Sequence, residues 1–270
     1  MSARVPAPFS ALAHAFRLGW SETWAQRSAL LGTCALYAVI VSAWASLYRL
    51  LPLGTLTRAS FGYTQVVWYL ALTELVAFAI GHAYRQIQDE ILDGSLAAHL
   101  VRPVGYVAVT GAQELGRMTA KIAVMALPAA ALAYALAREV PFEIVSVLPL
   151  AASLAAGAAC LLAAQIVVGL STAWLGTARP TFFIVQKLIF VLGGIVLPLD
   201  AYPPVLARMA WFTPFPAMLY APASLALDSS PTHVVAVLGL QVFWLSVALL
   251  ALGAASAAFE RRVVQAGLVS

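Results

Sequence analysis

The chain has 270 residues, 63% hydrophobic and 10% charged, with 15 Lys and Arg against 11 Asp and Glu and a formal net charge of +4. Its mean hydropathy is +0.91 and its pI about 9.3. A soluble domain averages about 25% charged residues, so a water-soluble globule is excluded; in a polytopic membrane protein a basic excess marks the cytosolic face rather than a nucleic-acid surface.

Residues 1–28 carry Arg4, Arg17, Glu22 and Arg27, which leaves no uninterrupted apolar region before a cleavage site, and no removable signal peptide is expected. From Phe9 to Gln26, Phe9, Leu12, Ala13, Phe16 and Trp20 share one side while His14, Arg17 and Ser21 lie mostly opposite. That pattern predicts a helix lying in the membrane interface, with a solvated N-terminal helix as the alternative. The first span is expected over about Ala29 to Leu51, with Arg49, Pro52, Gly54 and Arg58 beyond it, and the second over Tyr63 to Tyr84.

The next stretch, residues 85–104, packs Arg85, Asp89, Glu90, Asp93, His99 and Arg102 together and cannot span. Ile87, Ile91 and Leu92 recur at helical spacing, so its first half reads as an amphipathic helix leaving the membrane. Gly94 is placed to end that helix, Ser95 to cap a second short one through Leu100, and Arg102-Pro103 to close it. The expected product is a bent, charged, two-helix plug that a second protein could grip.

The third span is expected within Gly105 to Ala137, where Glu114, Arg117 and Lys121 keep the early part out of deep lipid and Pro128 removes one backbone donor. The fourth covers about Ile144 to Trp174, with a stripe of Ala151, Ala155, Ala159 and Ala163 that suits close helix packing. After the turn Gly176-Thr-Ala-Arg179-Pro180, the fifth runs from Phe182 to Leu197 and barely crosses. Residues 198–231 hold prolines 198, 203, 204, 214, 216, 222 and 231 among Tyr202, Trp211, Phe212, Phe215 and Tyr220; these predict short helices in an external re-entrant or surface-lying hairpin whose non-helical backbone is sheltered by protein. The sixth span is expected over Val234 to Ala258, before Glu260, Arg261 and Arg262. With the N-terminus inside, only Arg49, Arg58, Arg138 and Arg208 of the 15 Lys and Arg fall outside. The fold expected is therefore an all-α membrane protein, one transmembrane domain over residues 1–270 with six spans and both termini cytosolic.

Several chemistries are missing. The only lysines, Lys121 and Lys187, follow Ala120 and Gln186, so no P-loop exists, and the four histidines form no zinc-binding pair. No Gly-x-Ser-x-Gly elbow occurs either, and no enzyme is expected. Cys34 and Cys160 lie in apolar runs, where a thiol packs like a small hydrophobe, so neither a disulfide nor a metal is expected. Glu74 lies about 16 Å along the helix before Arg85, close to the bilayer midplane. A carboxyl there is either satisfied by Gln165 or Ser171 of the fourth span, or part of a substrate path or proton movement. Glu114 with Arg117 and Lys121 is either an intrahelical salt-bridged stripe or a charged face at the cytosolic entrance.

The series Arg85-x-Ile87-x-x-x-Ile91-x-x-Gly94-x-Leu96-x-x-x-Leu100-x-Arg102-Pro103 between the second and third spans resembles the signature of the type-2 ATP-binding-cassette permeases, in particular their six-span branch. The segment Phe190-x-x-Gly193-x-x-x-Pro198, Tyr202-Pro203, Pro214-Phe215 and Ala221-Pro222, with the basic C-terminal tail, is similar to the same branch. The chain departs from the pattern at Ala97-Ala98-His99. The resemblance implies an exporter permease in the cell inner (plasma) membrane whose coupling helix seats in a separate ATPase that carries ATP and Mg. Arg85, Gln88, Asp89, Asp93, Gly94, Leu96, Leu100 and Arg102 would form that contact, and a second permease subunit, identical or paralogous, would complete the path. Glu74, Gln165 and Glu114 are the candidates for the substrate path or for buried polar packing. Other classes remain open: a secondary carrier, for which polar residues such as Glu74, Gln165 and Gln241 are few, and a non-transporting membrane scaffold.

Overall fold

One helix of the bundle is apolar on every side, and the others are laid around it. A computed structural model describes residues 8–50, 61–96, 105–195 and 197–265; among them the regular elements are all helical. In chain order they are α1 (Pro8–Ala25), α2 (Arg27–Leu50), α3 (Tyr63–Ala79), α4 (Ala83–Leu92), α5 (Tyr106–Ala137), α6 (Val147–Leu170), α7 (Thr172–Leu175), α8 (Arg179–Leu192), α9 (Pro204–Trp211), α10 (Phe215–Met218), α11 (Tyr220–Ser224) and α12 (Pro231–Gln265). The central one is α3, buried at every position from Val66 to Val76. A helix covered round its whole circumference has no amphipathic stripe, because no face meets solvent.

Five stretches are long and apolar enough to cross a membrane: Arg27–Leu50, Tyr63–Leu92, Tyr106–Ala137, Val147–Leu175 and Pro231–Val263. The expected fifth span is represented by α8, which has 14 residues. That is about 21 Å of helix against about 30 Å of hydrocarbon, so α8 is not one of the five. The second expected span differs as well. Helix α3 stops at Ala79, Ile80 turns extended with ψ 123°, and the chain restarts as α4 two residues before Arg85.

In lipid, apolar side chains gain little by leaving the bilayer for a neighbour, so close backbone approach and polar clamps hold the helices together. Helix α2 lays Leu30, Tyr37, Val41, Ala45 and Tyr48 inward, and the Tyr37 hydroxyl donates to the Ala71 carbonyl at 2.8 Å. Gln241 on α12 donates to the Ser153 and Ala217 carbonyls at 2.9 and 3.0 Å and accepts the Ser153 hydroxyl at 2.8 Å. One fully buried amide thus ties α6, α10 and α12. The alanine stripe of the fourth span packs only at its later end: Ala163 is buried and Ala159 half-buried, while Ala151 and Ala155 are exposed and the buried face of the first half of α6 carries Leu150, Ser153, Leu154, Gly157 and Ala158.

Residues 216–227 are buried throughout, so the proline-rich segment folds back into the bundle against α3, α6 and α12. Side-chain hydroxyls partner the non-helical carbonyls just before this segment and a carboxylate within it, as an apolar setting demands. The Tyr69 hydroxyl donates to the Gly194 carbonyl, the Thr73 hydroxyl to the Ile195 carbonyl at 3.0 Å, and the Tyr220 hydroxyl to Asp200 at 2.7 Å.

Helix α1 departs most from its sequence pattern. It packs along the first half of α5, and the buried positions are Ala15, Gly19 and Thr23 rather than the large apolar residues. A Cβ added at Gly19 would overlap the Gln113 carbonyl, and one at Gly116 the Phe16 carbonyl. Two glycines facing each other's backbones let the helices touch where any side chain would hold them apart.

Candidate functional site

Two polar regions meet at the end of the bundle where α3 gives way to α4. The first is α4 itself. Ile87 points inward and Arg85, Asp89 and Asp93 outward, as the amphipathic reading expects, but Leu92 of the expected apolar face is exposed and Gln88 takes a place on the buried one. Asp93 caps the helix end and Gly94 follows at φ +77°, a left-handed turn that glycine makes without a side-chain clash. Ser95 hydrogen-bonds Asp93, its N–H at 2.8 Å from Oδ1, and these bonds hold the Asp93 carboxyl below the usual range. Leu96 is buried. Leu100 and Arg102 lie outside the described residues.

Three anchors fix α4 to the body. Gln88, named from sequence as a contact with a second protein, is 3% exposed. Its Oε1 accepts the Thr177 hydroxyl at 3.0 Å and the Ala178 N–H at 2.7 Å, which locks α4 to the turn between α7 and α8. Tyr84 stacks on Phe182 of α8 with ring centroids 3.8 Å apart. Gly169 of α6 lies so near α4 that a Cβ there would come within 2.9 Å of Ile87.

The fourth link is ionic. Arg117 on α5 donates to Glu22 of α1 at 2.8 Å, to Gln86 of α4 at 3.0 Å, and forms an i, i+3 ion pair with the buried Glu114. Gln113 adds a hydrogen bond to Glu22 at 3.0 Å. Glu90 accepts from Gln86 at 2.8 Å and from the Tyr106 hydroxyl at 2.6 Å. The charged stripe of the third span is therefore salt-bridged within its helix at Glu114 and Arg117, and it also joins three helices. Glu22 escaped the sequence reading, because nothing in the pattern of α1 says which helix it faces.

The second region is a pair of cavities. One, of about 550 Å³, is lined by Glu22, Arg85, Asp89, Glu114, Arg117 and Lys121 among others. The other, of about 630 Å³, runs deeper, between Glu74 of α3, Gln165 of α6 and the apolar side chains Leu36, Phe182, Ile189 and Phe190. Thr33, Gly81, His82 and Lys121 line both, so the two are continuous. Glu74 makes no hydrogen bond with the described residues, and neither amide atom of the buried Gln165 has a partner; Ser171 gives its hydroxyl to the Val168 carbonyl at 2.6 Å. The expected pairing of Glu74 with Gln165 or Ser171 is thus absent: Ser171 bonds its own helix, and Glu74 and Gln165 line one cavity without a hydrogen bond between them. Of the residues singled out from sequence, Glu74 and Gln165 share this deep cavity, Glu114 belongs to the ionic hub, and Gln241 to a clamp far from both. Among the described residues no group of His, Cys, Asp and Glu is arranged to hold a metal ion.

A family model described as "ABC-2 family transporter protein" matches residues 55–265, which is most of the chain from the end of α2 onward. No curated protein and no solved structure matches it.

Proposed function

The chain belongs to the ABC-2 transporter family and is a multi-pass membrane transport protein, and on that premise we propose that it is the permease subunit of an exporter driven by a separate ATPase. In this reading the ATPase carries ATP and Mg, a second permease subunit, identical or paralogous, completes the path, and the assembly sits in the cell inner membrane with both termini in the cytosol. Helix α1 lies along the cytosolic membrane face. Helix α8 and the non-helical residues that follow it make the sixth crossing, and residues 198–231 form an external re-entrant segment.

The observation that carries the proposal is the construction of α4. Its outer face offers Arg85, Asp89 and Asp93 to a partner, while Gln88, Tyr84 and Gln86 tie its inner face to the α7–α8 turn, to α8 and to α5. Gln88 and Leu96, being buried, act as anchors. A push on the outer face would therefore be delivered to three helices at once. ATP-driven closure of the ATPase has to favour one arrangement of these helices over another, since nucleotide shifts a conformational equilibrium only through differential binding to its two states.

The test is reconstitution with the ATPase encoded nearest to this chain. Substituting Asp93→Ala together with Gly94→Ala should leave the protein inserted and ATP hydrolysis running while transport falls at least about tenfold, a coupling loss of about 1.4 kcal/mol. Transport unchanged in the double variant would overturn the assignment of α4 as the coupling element.

A further inference from the structure

Three polar side chains facing the deep cavity have no hydrogen-bond or ion-pair partner among the described residues. Gln165 is 3% exposed with both amide atoms unpaired. Glu74 is 6% exposed and forms no hydrogen bond or ion pair among the described residues. The Lys121 ammonium is likewise unpaired there, and Lys121 lies where the two cavities join. Buried polar groups are almost always hydrogen-bonded, and leaving both amide atoms of Gln165 unpaired beside Glu74 and the half-buried Lys121 is unfavourable unless something in that space meets them. Ionisable groups held within a membrane body face a pathway far more often than they serve packing.

Their arrangement specifies what the occupant carries. Helices α3 and α5 are antiparallel: Gly81 abuts Glu114 at one end, and the Trp68 indole donates to the Glu139 carbonyl at 2.9 Å toward the other. Glu74 on α3 and Lys121 on α5 line one cavity, and no hydrogen bond or ion pair joins the two opposite charges. A simple cation would meet Lys121 uncompensated and a simple anion would meet Glu74, whereas a headgroup bearing both signs answers each. Gln165 beside them accepts and donates, so it suits a positive group with N–H to give. The rest of the wall is apolar, and its rim residues Leu36 and Phe190 are 54% and 45% exposed on the outside of the bundle. The cavity thus opens toward the medium that covers the apolar exterior. At about 630 Å³ it falls within the size range of small-molecule sites, about 300–1,000 Å³.

We propose that the cavity between Glu74, Gln165 and Lys121 binds a zwitterionic amphiphile whose headgroup sets a phosphate-like anion on Lys121 and a primary ammonium on Glu74 and Gln165, with its apolar chain leaving between Leu36 and Phe190. This rests on the reading of Glu74 and Gln165 as part of the substrate path and gives that path a ligand class.

Binding is measured on the purified full chain in maltoside micelles, without the ATPase, by calorimetric titration of lysophosphatidylethanolamine, lysophosphatidylcholine and soluble phosphoethanolamine. The ethanolamine lipid should bind at least about tenfold more tightly than the choline lipid, whose ammonium has no N–H to donate, and more tightly than phosphoethanolamine, which lacks the chain. Glu74→Gln and Lys121→Gln, which keep the size of the side chain nearly unchanged, should each weaken it about tenfold or more, a value in keeping with hydrogen bonds to charged groups, and Lys121→Arg should restore most of the affinity. Equal binding of the two lipids, indifference to both Gln substitutions, binding of phosphoethanolamine as tight as that of the lipid, or no binding would each overturn the proposal. The permease reading is judged separately, since it fails on loss of coupling to the ATPase, a quantity this titration does not touch.

Discussion

The ionic hub around Arg117 and the cavity around Glu74 lie in adjoining parts of the same cleft and are built on opposite principles. In the hub, Arg117 reaches Glu22, Gln86 and Glu114, and only one Glu114 oxygen is left without a donor. In the cavity, Glu74, Gln165 and Lys121 line open space, and no hydrogen bond or ion pair joins them. A satisfied network rigidifies the elements it joins, while unsatisfied groups lower stability and are kept where an occupant uses them. The comparison separates positioning residues from binding residues more sharply than charge or burial does, since both sets are charged and both are largely buried.

The largest effect expected from breaking this contrast is at the hub. Arg117→Ala removes the partner of Glu114, 3% exposed at its side chain, and of Glu22, 34% exposed. Stranding a buried charge costs about 3–5 kcal/mol; the quarter exposure of Arg117 and the exposure of Glu22 place this case at the lower end, about 3 kcal/mol. Thermal unfolding in detergent reads it. Adding Glu114→Gln to Arg117→Ala should recover part of the loss, because the stranded charge is then gone; a double variant no more stable than the single one would show that Arg117 acts through packing rather than through charge.

Next is the seam that brings Glu22 to Arg117. Gly116→Ala places a Cβ against the Phe16 backbone, and backbone cannot yield as a flexible side chain does, so α1 must move away from α5. Overpacking of this kind costs about 1–3 kcal/mol. The signature that distinguishes it from a general loss is local: amide hydrogen exchange should rise in α1 while the Gln241 clamp keeps α12 protected.

How much of this the sequence disclosed depends on the range of the interaction involved. The membrane class, the position of α4 and the stop at Gly94 follow from periodicity and from the backbone freedom of one residue, which are local. The proline-rich segment after residue 198 also announced its breaks. What stayed hidden needed a partner element to be known. Ala15, Gly19 and Thr23 look unremarkable beside Phe9, Phe16 and Trp20, yet the small residues form the contact with α5, and the pairing of Gly19 with Gly116 could have been read as a signal only by considering the two helices together. Gln88 shared a helix with Asp89 and was grouped with it, although one faces the α7–α8 turn and the other solvent. The alanine stripe of α6, covered only toward Ala163, misled in part for a related reason: spacing shows which residues share a face and not how much of that face is covered. Helix α8 remained short of a span because its residues end at Gly193 and Gly194, where tertiary bonds from Tyr69 and Thr73 take over from helical ones.

The smallest effect expected is also the one of opposite sign. At the hub, removing a polar group destabilises, whereas at the cavity it should stabilise. Gln165→Leu deletes two unpartnered polar atoms and leaves a side chain of similar volume against Leu161 and Ile189, which line the same space. The amide's burial without hydrogen bonds costs about 1–3 kcal/mol on mutational scales, so a gain of about 1 kcal/mol is expected in detergent free of zwitterionic lipid. Adding the ethanolamine lipid should reverse the order, raising the melting temperature of the native chain above that of the variant, since a ligand stabilises the fold only as far as it binds it. A destabilised Gln165→Leu in the absence of lipid would place Gln165 with the hub, as a residue the fold needs for itself, and would remove the contrast between the two halves of the cleft.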